Sequence, residues 1–336
     1  MSRSFSSIAA PTAVAAGGLP PIDFAYVEPD AAADLLADPG VLALIGFGAA
    51  APQFDDPRWL RLGLEPLAGS LLEVWRARAP VSRGRDGDVR WSHDGDYCWF
   101  AIELEEVAHR GIAATAEQAY RELRHFLATV ATPHVLRLWN YLDAINNGAG
   151  DDERYRQFCA GRGRGLAGWF EGSYPAATAI GRRDGVRVLQ IYGLAARLPG
   201  TAVENPRQTS AWRYPRQYGA TPPTFARAMR SPAVGQLLLS GTAAVVGHAS
   251  QHENAIDAQI GETLVNLDSL LRASGSSNTF GPGSLLKAYV RRSGDAPRVT
   301  AALRAHAPGL GGLLLLAGDI CRSELLVEID GVQTQS

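Results

Sequence analysis

One order of predicted segments occurs twice in this chain, and it limits the fold more than any other feature. Period-two patterns predict strands, and apolar residues three and four positions apart predict helices. The first half reads as strand, helix, strand, helix, strand over residues 97–104, 115–130, 134–142, 152–170 and 186–195. The second half reads as strand, helix, strand, short helix and two closing strands over residues 237–246, 254–273, 285–291, 298–306, 312–316 and 325–329. This order predicts an α+β protein with two tandem units.

Two details of the helices can be predicted as well. Thr115 and Gln118 fit a capping box, in which both side chains bond backbone N–H groups at the start of a helix. The helix over 152–170 contains three glycines, Gly161, Gly163 and Gly165, that alternate with arginines and can break it. The repeat concerns the order of segments and not residue identity, so a coincidence of coarse assignment is the alternative to a true repeat.

Composition excludes several classes of protein. The chain has 336 residues with 46% hydrophobic content, which is enough for a full core. Its 32 basic and 34 acidic side chains give a formal net charge of -2 without a long block of either sign. We therefore predict no nucleic-acid partner and no membrane partner, and expect small-molecule chemistry. No apolar run approaches the roughly 20 residues of a membrane helix.

Cysteine use and the N-terminus indicate a cytoplasmic protein. Cys98, Cys159 and Cys321 lie far apart and form no CxxC pair, which argues against a disulfide framework and a structural zinc site. The first twenty residues carry only Arg3 as a positive charge, and Pro11 interrupts their mildly apolar stretch, so they make a poor secretory signal. We predict a disordered N-terminus over residues 1–20.

We predict two domains after this N-terminus, over residues 21–200 and 201–336. Residues 199–223 between the two halves are rich in Pro, Arg, Tyr and Thr. This composition is typical of a linker, but such a segment can also line a cleft. Apolar residues predict packed structure in the first 90 residues, where we find no chemistry.

An acid interrupts an apolar strand near the end of the chain. Glu328 stands within the sequence Leu325, Leu326, Val327, Glu328, Ile329. Burial raises the pKa of a carboxyl group, so a buried glutamate here would be held by an arginine or poised to donate a proton. The alternative is that strand alternation turns Glu328 outward on an edge strand. The two interpretations are equally supported by this stretch.

Cationic and aromatic residues alternate along two predicted strands. Arg137, Trp139 and Tyr141 would project to one face of the first, and Lys287, Tyr289 and Arg291 to one face of the second. Residues 212–219, with two arginines and two tyrosines, suit the binding of an organic acid. A solvent-facing sheet surface and a solvated linker are the respective alternatives.

Other groups of residues give weak signals. Small residues over 240–244 would let a ligand approach the backbone, but they also occur where sheet and helix pack tightly. His248, His252, Glu253 and Asp257 invite a metal interpretation, although capping at a helix start explains them more simply. No dinucleotide-binding or P-loop pattern is present. We predict neither a metal nor a cofactor.

Five segments together resemble the chorismatase family. They are RLWNY at 137–141, YPRQYG at 214–219, SGTAAVVG at 240–247, ETLVNL at 262–267 and DICRSELLVEIDG at 319–331. The resemblance covers most of residues 90–331, and the second half is also similar, more distantly, to small imine deaminases of the YjgF/RidA type. It implies two tandem YjgF/RidA-like, chorismate-mutase-like units, each a mixed sheet packed by helices. Small YjgF-like proteins are trimers, so for this chain both a monomer and a homotrimer are open.

The resemblance also implies an activity. Chorismatases cleave the enolpyruvyl ether of chorismate and release pyruvate without a cofactor. Glu328 matches the family's catalytic glutamate, which protonates the enolpyruvyl methylene and creates an oxocarbenium ion. The substrate-binding candidates are residues suited to hold carboxylates, Arg137, Tyr141, Tyr214, Arg216, Tyr289 and Arg291, and a small-residue wall for the ring, Gly241, Thr242, Ala243 and Ala244.

Members of the family differ in product. Some hydrolyse chorismate to a dihydroxycyclohexadiene carboxylate, others aromatise it to 3-hydroxybenzoate, and some of the latter also make 4-hydroxybenzoate. The aromatising subgroup has a cysteine seven residues before the glutamate, as Cys321 stands before Glu328. We therefore predict a 3-hydroxybenzoate synthase in which Cys321 assists aromatisation, while Ala243 and Ala244 leave the subgroup ambiguous. Chorismate hydrolysis and a non-catalytic binder of aromatic acids are the alternatives.

Overall fold

The computed structural model describes residues 18–69, 71–170, 172–276 and 279–335. Most of the N-terminus predicted to be disordered lies outside these residues. The helices are α1 (Ala32–Ala37), α2 (Glu106–His109), α3 (Ile112–Thr129), α4 (Arg154–Leu166), α5 (Ile256–Ser274) and α6 (Ala296–His306). The strands are β1 (Asp23–Val27), β2 (Val41–Phe47), β3 (Trp59–Leu62), β4 (Leu72–Arg76), β5 (Ser82–Asp86), β6 (Val89–His93), β7 (Tyr97–Glu105), β8 (His134–Asp143), β9 (Ala176–Arg182), β10 (Val188–Ala196), β11 (Thr201–Val203), β12 (Ala228–Arg230), β13 (Gln236–Ala243), β14 (Val245–Val246), β15 (Ala249–Ser250), β16 (Ser284–Val290), β17 (Gly312–Ala317), β18 (Asp319–Ile320) and β19 (Val327–Thr334).

The first unit is a seven-stranded mixed sheet in the order β18-β9-β8-β10-β7-β6-β5. Strands β8 and β9 pair in parallel, whereas β8 with β10 and β10 with β7 pair antiparallel. The chain crosses from β7 to β8 through α3 and from β8 to β9 through α4. Apolar residues of α3, such as Ala119, Leu123 and Phe126, are buried in the core beneath the sheet.

The second unit repeats this topology. Its six-stranded sheet has the order β11-β12-β13-β19-β16-β17, in which β16 and β17 are the parallel pair. Helix α5 connects β13 to β16 and α6 connects β16 to β17, as α3 and α4 do in the first unit. The predicted α+β fold with two tandem units is therefore confirmed, and the repeat is a true one.

The N-terminal residues add a separate four-stranded sheet with the order β1-β4-β2-β3. Hydrogen bonds connect it to both units: the Gln190 side chain donates to Arg61 O at 2.9 Å, and Tyr26 OH donates to Leu286 O at 3.2 Å. The predicted domain boundaries at residues 21, 200 and 336 are not tested by this grouping of strands and stay predictions.

The two repeated units meet where β9 lies beside β13. The Ala177 N–H donates to Ser240 Oγ at 2.9 Å, and the Gly241 N–H donates to Thr178 Oγ1 at 3.0 Å. Hydrogen bonds to side chains thus connect one strand of each sheet, β9 and β13, which do not pair with each other as a continuous ladder. This seam brings residues of both halves of the chain to one place.

The structure corrects three local predictions. The N-cap of α3 is Gly111, and Thr115 Oγ1 donates back to Gly111 O at 2.8 Å, so there is no capping box. Helix α4 is continuous through its glycines. Gly161 and Gly165 allow it to pack closely against α3, since a Cβ atom on Gly161 would overlap Ala113 O. The strand predicted over 237–246 divides into β13 and β14 at Ala244. In the described parts of the chain, no helix combines the length and apolar character that crossing a membrane requires.

Candidate active site

A cavity of about 430 Å³ opens at the seam between the two units. Its walls come from β8 and β9 of the first sheet, from α4, from the segment between β11 and β12, from β13, and from the loop between β18 and β19. The residues that line it include Tyr155, Arg162, Thr178, Tyr214, Tyr218, Arg227, Gly241, Ala243, Cys321, Arg322 and Glu328. The segment with two arginines and two tyrosines therefore contributes to a cleft.

Glu328 lies at the base of this cavity. Strand β19 is central, and Glu328 pairs with Ala243 of β13 on one side and Tyr289 of β16 on the other. Its side chain is 5% exposed, and no described residue hydrogen-bonds to its carboxyl group. Burial, and then the negative charge of Asp330, raise the pKa of Glu328 to about 8, although three arginines oppose this change. Glu328 is therefore a buried acid that is largely protonated at neutral pH, and the edge-strand interpretation is wrong.

Gly241 makes room for this acid. A Cβ atom at position 241 would overlap Glu328 Oε1 and stand 3.2 Å from Thr178 Oγ1. The Gly241 N–H is at the same time held by Thr178 Oγ1. Any larger residue at position 241 would therefore displace the carboxyl group.

Cys321 belongs to the loop between β18 and β19 and lines the same cavity. Burial, and then the Glu328 charge, raise the pKa of its thiol far above the ordinary value. The thiol is thus protonated across the physiological pH range. Tyr155 of α4 is close enough to Cys321, Glu328 and Cys159 to interact electrostatically with all three.

Four arginines line the cavity: Arg156, which pairs with Glu153, and Arg162, Arg227 and Arg322, which bring positive charge to it. Arg227 donates to Thr209 O at 2.8 Å and to Tyr214 OH at 2.7 Å. Arg322 donates from Nη1 to His248 O at 2.8 Å, and its guanidinium lies 3.9 Å from the centre of the Tyr218 ring. Arg162 donates to Thr224 O at 2.8 Å. In each case the protein engages part of the guanidinium, which holds the side chain in place.

Five of the residues predicted from strand patterns and motifs do not line the cavity. Arg137, Tyr141 and Tyr289 are buried behind it, where Arg137 pairs with Asp330 and Tyr141 OH lies 2.8 Å from Tyr289 OH. The Arg291 guanidinium is hydrogen-bonded within the protein: it donates to the carbonyls of Ile320, Arg322 and Leu325 and to the carboxylate of Asp319. Arg216 is 65% exposed and pairs with Asp151.

The remaining predicted residues are divided by the alternation of β13. Gly241 and Ala243 face the cavity, whereas Thr242 and Ala244 are buried outside its lining, with Thr242 Oγ1 donating to Ser240 O at 3.0 Å. Tyr214 lies in the wall next to Arg227. Side chains that alternate along a strand cannot all face one ligand.

The prediction omitted several residues of the site. Arg162, Arg227 and Thr178 carry no motif signal, because only the seam between the two units brings them together. Asp330 could have been found, since it stands two residues after Glu328 and so on the same strand face. Arg322 follows Cys321 directly within a recognised motif.

The histidines near the start of α5 take part in other contacts. His248 Nδ1 lies 3.2 Å from Tyr218 OH, and His252 Nε2 lies 3.4 Å from Glu262 Oε2. Across the described ranges, no three His, Cys, Asp or Glu side chains are grouped so that they could hold a metal ion.

Fold and cavity together define a class of protein: a two-unit α+β chain with a protonated carboxylic acid and several arginines around one cavity. Such a site is suited to acid catalysis on a small organic acid.

Comparisons with known proteins agree with this class. The family model described as chorismatase FkbO/Hyg5-like, N-terminal, matches residues 73–195. A 3-hydroxybenzoate synthase of Streptomyces hygroscopicus is 36% identical over 80% of this chain and 82% of its own length. A chorismatase of Streptomyces rapamycinicus is 34% identical over 78% of this chain and 82% of its own length. A chorismatase crystal structure superposes with a TM-score of 0.82 at 29% identity, covering 94% of this chain and 99% of the other.

The chain belongs to the chorismatase family of enzymes. The resemblance inferred from the five motifs is thereby confirmed.

Proposed function

We propose that this protein converts chorismate into 3-hydroxybenzoate and pyruvate, with Glu328 as the general acid. The observation that carries the proposal is the buried, protonated Glu328 carboxyl at the base of a cavity lined by arginines. The 36% identity to a relative named 3-hydroxybenzoate synthase supports the same substrate and product.

The first step is proton transfer from Glu328 to the methylene carbon of the enolpyruvyl group. This creates an oxocarbenium ion at the ether carbon and leaves a carboxylate nearby that stabilises the positive charge. An acid with a pKa of about 8 keeps its proton at neutral pH and is matched to this task, whereas an ordinary glutamate would be ionised.

Arginines of the cavity wall bind the two carboxylates of chorismate. Arg162, Arg227 and Arg322 can each offer N–H groups that the protein does not already engage, and an arginine matches a carboxylate in shape. Tyr214 holds Arg227 by accepting a hydrogen bond from it, and Tyr218 holds Arg322 by stacking against its guanidinium. Binding both carboxylates places the enolpyruvyl group over Glu328.

Cys321 directs the ring toward aromatisation. It acts as a neutral thiol, because its raised pKa prevents formation of a thiolate nucleophile at physiological pH. In the aromatising reaction the neighbouring ring hydroxyl displaces pyruvate: the bond between the ring carbon and the ether oxygen breaks, and this oxygen leaves as the carbonyl of pyruvate. The ring proton lost at the end restores Glu328, so no water is consumed. Hydrolysis to the dihydroxycyclohexadiene carboxylate consumes one water instead.

Chromatography of the products from purified protein and chorismate tests this function. Equal amounts of 3-hydroxybenzoate and pyruvate are expected from the wild type, a shift toward the dihydrodiol from Cys321→Ala, and neither product from Glu328→Gln. Pyruvate with only the dihydrodiol from the wild type would identify a hydrolase. Absence of turnover together with thermal stabilisation by chorismate would instead identify a binding protein.

A further inference from the structure

A cluster of buried charged groups lies behind Glu328, where β19 faces β8 and β9. Its centre is Asp330, whose side chain is completely buried. Asp330 Oδ2 accepts hydrogen bonds from four donors, Arg137 Nη2 at 3.1 Å, Trp139 Nε1 at 3.0 Å, Thr178 Oγ1 at 2.8 Å and Tyr289 OH at 3.0 Å. All four hydrogen bonds reach the same oxygen, so the Asp330 side chain is held in one orientation.

Asp330 stands beside the acid of the site. The two residues are two positions apart on one strand, so both side chains project from the same face of the sheet. Thr178 lies between them: its hydroxyl donates to Asp330, accepts from Arg137 at 2.5 Å and from the Gly241 N–H, and lines the cavity. Because its proton is engaged by Asp330, the Thr178 hydroxyl is not free to donate to Glu328.

We propose that Asp330 is a positioning residue that acts through its charge, keeping Glu328 in the protonated, proton-donating form. A fixed carboxylate next to a second carboxyl group opposes ionisation of the second. The proposal rests on Glu328 as the acid of the reaction and adds the group that sets its protonation state.

The cations near Asp330 do not cancel this effect. Arg137 pairs with Asp330 directly, but Asp330 Oδ1 has no hydrogen-bond partner within the described residues. Lys287, which lies opposite Asp330 on β16, is paired with Glu73 of the N-terminal sheet at 2.6 Å. The positive charge of Lys287 is therefore already balanced by Glu73. Through Glu73, the N-terminal sheet influences the charge around Asp330.

The titration of Glu328 depends on the charged and titratable groups around Glu328 and Asp330. Glu328 faces Asp330 on its own strand, Arg137 of β8, Arg227 and Arg322 of the cavity wall, and Cys321 and Tyr155. Asp330 is further surrounded by Tyr26, Tyr141, Tyr192, Tyr289 and Lys287. Burial raises the pKa of each of these tyrosines, so they stay neutral while Glu328 titrates.

The test compares two substitutions that change charge in opposite directions. The pH dependence of kcat/KM is measured for the wild type, Asp330→Asn and Arg137→Gln, with Arg121→Gln on the exposed surface of α3 as the control. We expect the high-pH decline of Asp330→Asn to move to lower pH by about one unit or more, which is roughly a fivefold loss at the wild-type midpoint and a tenfold loss well above it. Arg137→Gln should move the decline to higher pH, and the control should not move it.

A purely structural role would lower the rates without displacing the two profiles in opposite directions. Profiles of folded Asp330→Asn and Arg137→Gln that coincide with the wild type would overturn the proposal. If Asp330→Asn does not fold, the upward displacement in Arg137→Gln decides the question.

A titration of ¹³C-labelled glutamate carboxyls separates this proposal from the proposed reaction. The Glu328 resonance is assigned by its loss in Glu328→Gln, and its midpoint is compared between the wild type, Asp330→Asn and Arg137→Gln. This readout works even if chorismate is not turned over. A lower midpoint in Asp330→Asn without any pyruvate release would support the role of Asp330 while rejecting the reaction.

Discussion

The Glu328 carboxyl group lies directly against Gly241, in the space that a side chain at position 241 would occupy. The acid of the site and the strand that faces it are therefore matched in shape. This relationship joins β13 and β19, which pair antiparallel with a shift in register between Leu239 and Thr242, just where Gly241 lies.

Substituting Gly241 with alanine should abolish most of the activity. The added methyl group would move the acid away from the substrate, and loss of a positioned general acid costs about 10²- to 10⁴-fold in rate. Pyruvate release from chorismate, measured at saturating substrate, checks this. Gly261→Ala is the matched control, because Gly261 lies on α5 with open space around it, and there the change should stabilise the helix by up to about 1 kcal/mol without loss of activity.

The stability of Glu328→Gln relative to the wild type should depend on pH. The pKa of Glu328 is about 8 in the folded protein, above the ordinary value of 4.5. Between these values the unfolded chain loses a proton that the folded protein retains, so the wild type loses stability as pH rises through this window, by up to about 1.4 kcal/mol per pH unit. Glutamine has no such dependence.

Urea unfolding at several pH values checks this expectation. The difference in unfolding free energy between Glu328→Gln and the wild type should grow in favour of the variant from about pH 5 to about pH 8 and then level off. A constant difference across that range would mean that Glu328 titrates as an ordinary, solvated glutamate.

Arg322→Gln should weaken substrate binding, whereas Arg216→Gln should not. Arg322 lines the cavity, but Arg216 is exposed and paired with Asp151. Loss of a hydrogen-bonded charge pair with a carboxylate costs about 1.5–3 kcal/mol, which is roughly a 10- to 100-fold rise in KM. Steady-state kinetics with chorismate checks this. A larger effect of Arg216→Gln would favour the assignment made from the YPRQYG motif over the one made from the cavity.

The ratio of products should not change with pH. The pKa of Cys321 is raised far above its ordinary value, so the thiol stays neutral between about pH 6 and pH 9. The proton donation by Glu328 precedes the point where the products diverge, so its pH dependence affects both products equally. Chromatography across this range checks the ratio of 3-hydroxybenzoate to dihydrodiol.

Iodoacetamide should modify Cys321 slowly, as followed by mass spectrometry. Rapid alkylation with a midpoint near neutral pH would indicate a thiolate instead.

Much of the architecture could be predicted because it is encoded locally. The apolar stripe of α5 and the alternation in β16 depend on residues within one element, and their predicted ranges agree with the structure to within about two residues. The glycines of α4 were wrongly predicted to break the helix. Their role is to let α3 pack closely against α4, which depends on a distant segment and not on the conformation of α4 itself.

The acid was also visible in the sequence, but its environment was not. A glutamate among apolar neighbours allowed two orientations, and both fitted the alternation of the strand equally well. Only the central position of β19, between β13 and β16, buries Glu328 and places Asp330 next to it.

Periodicity therefore established the elements and their doubled order, and motif resemblance pointed to the family and to Glu328. The residues that line the cavity with Glu328 were decided by tertiary structure. Arg162, Arg227 and Thr178 come from distant parts of the chain and meet only where β9 lies beside β13, while Arg137 and Arg291 were drawn into bonds with Asp330 and with the loop before β19. The face that a side chain shows follows from its own strand, but what that face meets depends on how the sheets pack, which no local pattern records.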